Sequence, residues 1–388
     1  MSTITTFQSV LKGIPRTTFE RYVAQHQADK NCKHFFHWDH LLAMVYAQLS
    51  NASSLRTLEA GFNSHWKYHG QLHTGLVHRS TLAKANERRT SAVFDDVAAW
   101  LIAKATRKLR QRVTSLVCLL DSTSVTLKGR EFDRWTLDNR TRNTQGIKLH
   151  MLFDPSLHTP IWYEFSPPNI NDVNQAKHVA LQRGAMYVFD KGYCDYNWWA
   201  QIDEAGARFV TRFKDNAGVQ QVEERPISKE AQGFVLHDEV VQFKQHQLGK
   251  GRVNKYKKPL RRVTIRRPDD GKLLILATND MDSSALEIAQ FYKDRWGIEL
   301  FFKWLKQHLK IKSFFGRSQN AVRIQIVTAL IAYLLLNLHC HGHGLAMTLW
   351  HFCSLTTATL FEPSRNPTSL AQPPPMMSAS STLSQQLT

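Results

Sequence analysis

Between Ser284 and Ile311 the chain reads SALEIAQFYKDRWGIELFFKWLKQHLKI, and four of its side chains suit phosphate and metal chemistry. Tyr292, Arg295, Glu299 and Lys306 stand at i, i+3, i+7 and i+14. On one helix turning about 100° per residue they fall in a stripe roughly 60° wide. Ser284 and Glu287 have capping-box spacing and start that helix. Ile288, Phe291, Ile298, Phe301, Phe302 and Leu305 would bury much of the remaining circumference. Two cations, a phenol and a carboxylate in one stripe suit a surface that meets phosphates and a metal, although solvated i, i+4 pairs give the same pattern. Two further acids close apolar runs: Asp121 after SLVCLL and Asp190 after AMYVF. Burial there without a cation or donors is costly.

The spacing Tyr-(2)-Arg-(3)-Glu-(6)-Lys resembles the signature around the third acid of DDE transposases of the insertion-sequence-four family. LLDSTSV around Asp121 and YVFDKGY around Asp190 agree with it in order, and TTFERYV, VYAQLS, SLRTLEA and RSTLAKANERR resemble the helical front domain of one branch. The likeness covers roughly residues 1 to 340. It implies that Asp121, Asp190 and Glu299 share one or two Mg²⁺ or Mn²⁺ ions, hard cations that prefer oxygen ligands. A metal pair about 4 Å apart activates the attacking oxygen and stabilises the departing one. The implied partner is double-stranded DNA, transposon ends and target alike, bound by a homodimer. Tyr292, Arg295 and Lys306 are expected beside the scissile phosphate; Trp296 either stacks on a displaced base or packs inside. Other acids have simpler roles: Asp195 caps a helix, Asp154 makes a turn before Pro155, Glu287 is a cap, and Asp294 lies off the stripe. A DNA-binding repressor that lost catalysis and a plain nuclease are the rival readings.

Composition agrees with a polyanionic partner. The formal charge is +18 and the pI about 9.8, a surplus that repels itself unless neutralised. Five scattered cysteines without a CxxC pair fit free thiols in a reducing cytosol, hence a cytoplasmic, nucleoid-associated protein. The N-terminus lacks the apolar core of a signal peptide. The run Ile326 to Leu338, interrupted by Thr328 and Asn337, is too short to cross a bilayer and reads as a buried helix, so no membrane is expected. His339, Cys340, His341 and His343 are only half a metal knuckle. With no P-loop or Gly-x-Gly-x-x-Gly, no nucleotide cofactor is expected.

The elements that must position these residues suggest an α/β protein. Residues 1–112 read as an all-α DNA-binding domain with 16 Lys/Arg against 7 Asp/Glu, a surplus of nine. Within it, Lys84, Asn86, Arg88 and Arg89 sit on a helix suited to reading bases and phosphates; a solvated bundle face is the alternative. From 113 to 214, three strands, a helix (Asp172 to Gln182), a strand, a helix and a strand give the order of a ribonuclease H-like core, a mixed sheet with flanking helices. Residues 215–283 read as an inserted β-rich subdomain with a hairpin at Asp270-Gly271. Its run Lys244 to Arg267 has ten Lys/Arg and no acid, and Arg252, Lys255, Lys257 and Lys258 are candidate phosphate contacts. Residues 284–350 complete the core. Residues 351–388, rich in Pro and Ser near their end, read as a disordered tail.

Overall fold

The computed structural model describes residues 4–110, 116–214, 217–244, 253–308, 313–342 and 349–364. Seven helices lead: α1 (Thr6–Leu11), α2 (Arg16–Gln25), α3 (His37–Leu49), α4 (Leu55–Asn63), α5 (His69–Leu72), α6 (Arg79–Arg88) and α7 (Ala92–Arg110). The core follows with β1 (Val117–Thr126), α8 (Arg130–Thr136), β2 (Gly146–Asp154), β3 (Thr159–Ser166), α9 (Asp172–Ala176), β4 (Met186–Phe189), α10 (Tyr196–Glu204) and β5 (Arg208–Arg212). Strands β6 (Val219–Glu224), β7 (Val235–Phe243), β8 (Leu260–Arg266) and β9 (Leu273–Thr278) come next. Helices α11 (Ala285–Asp294), α12 (Trp296–His308), α13 (Gln319–Gly342) and α14 (Leu349–Ala358) close the chain.

All nine strands form one sheet in the order β3-β2-β1-β4-β5-β9-β8-β7-β6. Strand β1 pairs antiparallel with β2 and parallel with β4, and β4 runs parallel to β5. This is the ribonuclease H-like arrangement expected from the element order. Gly146 starts β2 at φ +148°, where a Cβ would strike the Val125 carbonyl, so only glycine lets β2 close onto β1 there. The insertion is continuous with the core: β9 pairs antiparallel with β5, and the strands beyond it extend the same sheet. The Asp270-Gly271 turn joins β8 to β9 as read, with Gly271 at φ +68°. Helix α9 stops at Ala176, well short of the expected Gln182, and the chain reaches β4 through turns.

One face of the sheet packs on α11, α12, α13 and the front helices in a single core. The opposite face is covered around Trp198, Trp199, Tyr187 and Phe209. The front helices pack round α13 rather than forming a separate core. Helix α13 is longer than its apolar run and is long and apolar enough to cross a membrane, but 94% of its apolar stretch is buried inside the protein. Its apolar circumference is thus met by protein neighbours.

Order continues past the expected start of the tail. Phe352, Cys353, Leu360 and Phe361 are buried, and residues 360–364 are zipped to residues 4–7 by Thr6 N to Glu362 O (3.1 Å), Phe7 N to Leu360 O (2.7 Å) and Ser364 N to Ile4 O (2.7 Å). Phe361 stacks on His65 with centroids 4.0 Å apart. The aromatic burial offsets the ordering entropy that composition alone suggested could not be met. Residues 365–388 lie outside the described residues.

Candidate active site

Strand register brings the first two acids together. Leu120 pairs with Phe189 at the end of the parallel β1–β4 ladder, so Asp121 follows on β1 and Asp190 follows immediately past the end of β4. Both continue the alternation of Leu119 and Val188, whose side chains face the α12 side of the sheet. Helix α12 crosses β1 closely: a Cβ on Gly297 would lie 3.5 Å from Leu119 Cδ1. That is ordinary contact, so the protein itself does not require glycine at 297.

The third acid arrives one turn later and is joined to the first by a shared cation. Arg295 Nη2 lies 2.6 Å from Glu299 Oε1, and its Nη1 lies 3.5 Å from Asp121 Oδ2. Asp190 has its own partners: Arg212 Nη2 at 3.2 Å and the Tyr292 hydroxyl at 3.4 Å. Lys306 Nζ donates to the Ser124 carbonyl at 3.3 Å, farther along β1. Trp296 is 57% exposed rather than packed inside. The expected single helix is therefore two, interrupted at Arg295, the C-cap of α11. The stripe survives because Arg295 keeps right-handed helical torsions, φ −51° and ψ −32°.

The inserted strands hold this helix pair in place. Ser284 and Glu287 form the expected capping box. Just before it, the Asp280 carboxylate accepts from the Asp282 and Ser283 amides at 2.9 and 3.0 Å and from Arg208 of β5 at 2.9 Å. Arg261 of β8, 2% exposed, grips Asp238 with two nitrogens at 2.8 and 2.7 Å and also donates to the carbonyls of Asp280 and Ser283. The insertion thus fixes where α11 begins, and with it the position of Arg295 and Glu299.

The acids suit a hard divalent ion by donor type, and the two arginines beside them do not fully offset their charge. Burial pushes the Asp121 carboxyl up to about 6; Glu299 and Asp190 add to the push, and the Ser122 amide and Arg295 oppose it. A carboxylate so disfavoured in spite of an arginine gains from a further cation. Among the described residues the three carboxylates do not converge within 4.8 Å of one another. Two of them instead share the Arg295 guanidinium.

Several residues expected to touch DNA stand elsewhere. Asn86 is 1% exposed, with its Oδ1 2.7 Å from His40 Nε2, so it cannot read a base. Arg89 turns inward to the Phe35 and Phe36 carbonyls and to Cys32 Sγ, stacking on Phe35, and is not a free phosphate contact. Lys84 and Arg88 on α6 are exposed. In the basic run, Arg261 and Arg262 pair with Asp238 and Glu239, Arg267 with Asp269 and Asp270, and Lys258 with Asp203 at 2.5 Å. The run looked uncompensated because Asp238 and Glu239 come from β7 and Asp203 from α10, while Asp269 and Asp270 lie just past its end in the turn before β9. Lys255 and Lys257 are exposed; Arg252 and His343 lie outside the described residues. Of the half-knuckle, His339 stacks on Phe352, His341 bonds the Asn337 carbonyl and Cys340 is buried.

The sequence reading missed other groups. Arg212 ends β5 beside Asp190, a pairing that only the β4–β5 register reveals. Asp172 accepts from Ser122 Oγ at 3.0 Å and Lys148 Nζ at 2.9 Å, buttressing the residue after Asp121. A cavity of about 1080 Å³ opens there, with Lys148, Asp172, Asn197, Lys214 and Lys244 in its wall. Asp195 caps α10 and Asp154 closes the β2–β3 turn as expected. Asp29, Cys32 and His37 place ligand-type atoms within 4.8 Å of one another, but the Asp29–His37 contact is a 2.6 Å hydrogen bond and Arg89 lies 3.3 Å from the sulfur.

Comparison with known proteins shows the family. The model of the transposase DDE domain matches residues 114–335, and that of a domain of unknown function matches residues 2–76. A Sinorhizobium fredii protein named as a transposase, y4zB, is 39% identical over 76% of this chain and 80% of its own length. Proteins named as transposases of insertion sequence elements IS5377 in Geobacillus stearothermophilus and IS4SA in Synechocystis are 29% and 26% identical, each over 67% of this chain, and over 66% and 71% of their own lengths. The piggyBac transposase synaptic complex with hairpin DNA superposes with a TM-score of 0.46 at 11% identity, covering 94% of this chain and 80% of that one. A domain match running from the strand of Asp121 into α13, together with a relative at 39% identity, makes the chain a member of the DDE transposases, divalent-metal enzymes that cut DNA and transfer its strands.

Proposed function

We propose that Asp121, Asp190 and Glu299 are the metal-holding carboxylates with which the chain excises and inserts its own insertion sequence. The observation that carries this is Arg295, whose single guanidinium reaches acids from the first and last parts of the core at once. Mg²⁺, with Mn²⁺ as substitute, is the ion that suits an all-oxygen set, and when bound it would activate the attacking oxygen and stabilise the departing one.

The chain's own residues handle the DNA. Arg295 and Lys306 hold strand phosphates as charges, and Tyr292 orients the backbone beside Asp190. Trp296, exposed one turn before Glu299, offers its face to an unstacked base. Lys84, Arg88, Lys255 and Lys257 supply phosphate contacts farther out. Water attacks phosphorus at the element's end, the bond to O3′ breaks, and O3′ leaves as a hydroxyl. That hydroxyl then attacks a target phosphorus, loses its proton and displaces the target's own O3′. One phosphodiester replaces another, so the joining step needs no nucleoside triphosphate. Two ends and one site per chain call for a homodimer in the DNA complex.

Purified protein, Mg²⁺ and labelled element ends test this reading. Joined products support it. Nicks without joining would make the chain a nuclease, and a shifted band without scission would make it a repressor.

A further inference from the structure

We propose that Arg295 acts as an internal counter-ion in the acid site, and that a divalent metal gains full access only when a DNA phosphate draws the guanidinium away. The proposal rests on the reading of Asp121 and Glu299 as metal-holding acids and adds an order of assembly to it. Arg295 Nη2 stands 2.6 Å from Glu299 Oε1 and Nη1 stands 3.5 Å from Asp121 Oδ2. One planar cation therefore holds, by one nitrogen each, the two carboxylates that a metal would have to share. A dication brought to those oxygens meets a fixed positive charge in the same space.

The guanidinium is also incompletely satisfied where it stands. Its Nε is buried with no hydrogen-bond partner. Arg212 repeats the pattern, with Nη2 3.2 Å from Asp190 and its Nε likewise orphaned. Arg295 spreads its terminal nitrogens over two acids, Arg212 gives one of its own to a third, and each keeps a desolvated Nε–H in reserve. A phosphate accepts two parallel N–H bonds from one guanidinium, which a single carboxylate oxygen on Arg295 does not. DNA therefore competes with the acids for Arg295, and each phosphate contact won frees carboxylate oxygens for the ion. By linkage, DNA and metal must then raise each other's affinity by the same factor. Without DNA the site stays neutralised, which restricts cutting to DNA that is correctly seated.

Titration of the full-length chain with Mn²⁺, read by the electron paramagnetic resonance signal of the free ion, tests this without any turnover. In the absence of DNA, Arg295→Ala and Arg295→Gln should bind Mn²⁺ on the order of tenfold tighter than the wild type, within the usual span of coupling between sites. The gain should vanish in Arg295→Ala combined with Glu299→Gln. A duplex carrying the element's terminal sequence should tighten Mn²⁺ binding by the wild type and leave Arg295→Ala unchanged. Equal or weaker Mn²⁺ binding by Arg295→Ala overturns the counter-ion role, even where Glu299→Gln weakens the ion and so supports the acids. Indifference of Mn²⁺ binding to Glu299→Gln in every background overturns the acid assignment itself. If Arg295→Ala fails to give a native near-ultraviolet circular dichroism spectrum, Arg295→Gln, which keeps the side-chain length, decides.

Discussion

Asp121 carries a stability cost for a functional reason. At 20% exposure it is the least solvated of the three acids, against 39% for Asp190 and 33% for Glu299. Burial and its acidic neighbours lift its carboxyl to about 6 from 3.8. A folded-state value above the unfolded one means that the metal-free protein loses stability as pH rises through that interval. Asp121→Asn should therefore stabilise the metal-free chain at neutral pH by about 1–2 kcal/mol while abolishing cleavage. Thermal denaturation beside a cleavage assay checks both, and a lower melting temperature would contradict the electrostatic account. Glu299 and Arg295 were legible because a helix places i and i+4 on one side, a local relation that spacing reveals. Arg212 was not, since its pairing with Asp190 depends on the register of two parallel strands. Asn86 and Arg89 were misread for a related reason: a polar residue on a helix does not declare which face its neighbours bury, and His40 lies 46 positions from Asn86.

At the scale of elements, the helix pair α11–α12 is held by a buried ion pair in the insertion. Arg261 and Asp238 are 2% and 3% exposed, and removing one partner strands the other's charge. Arg261→Ala should destabilise the chain by about 3–5 kcal/mol and, where folded protein is recovered, slow cleavage by loosening the start of α11. Denaturant melts and single-turnover cleavage measure the two effects; unchanged stability would remove the pin. Gly297 offers a complementary test on α12. Because a methyl there meets only Leu119 at 3.5 Å, Gly297→Ala should add up to about 1 kcal/mol of helix stability. A more stable but inactive variant would mean that DNA approaches Gly297 closely, whereas a destabilised one would contradict the packing described. The strands and most caps followed from apolar runs and side-chain chemistry. The break at Arg295 did not, because torsions on both sides stay helical and nothing in the residue types marks it.

The whole molecule is one sheet sharing a core with the front helices, carrying a charge of +18. Part of the basic run is compensated by Asp238 and Glu239 of β7 and Asp203 of α10, an arrangement no linear count of charges can foresee. Lys255 and Lys257 remain exposed. Replacing both with Ala should lower the slope of log binding constant against log salt by about 2. Binding titrations across a salt series measure it, and an unchanged slope would take the loop before β8 out of the DNA interface. The central claim is that Asp121, Asp190 and Glu299 act as one unit, and Glu299→Gln is its most direct probe. In a single-turnover assay with Mg²⁺ and labelled element ends, the variant should retain end binding in a gel shift while cleavage falls to background. Cleavage at the wild-type rate by this variant would contradict the account.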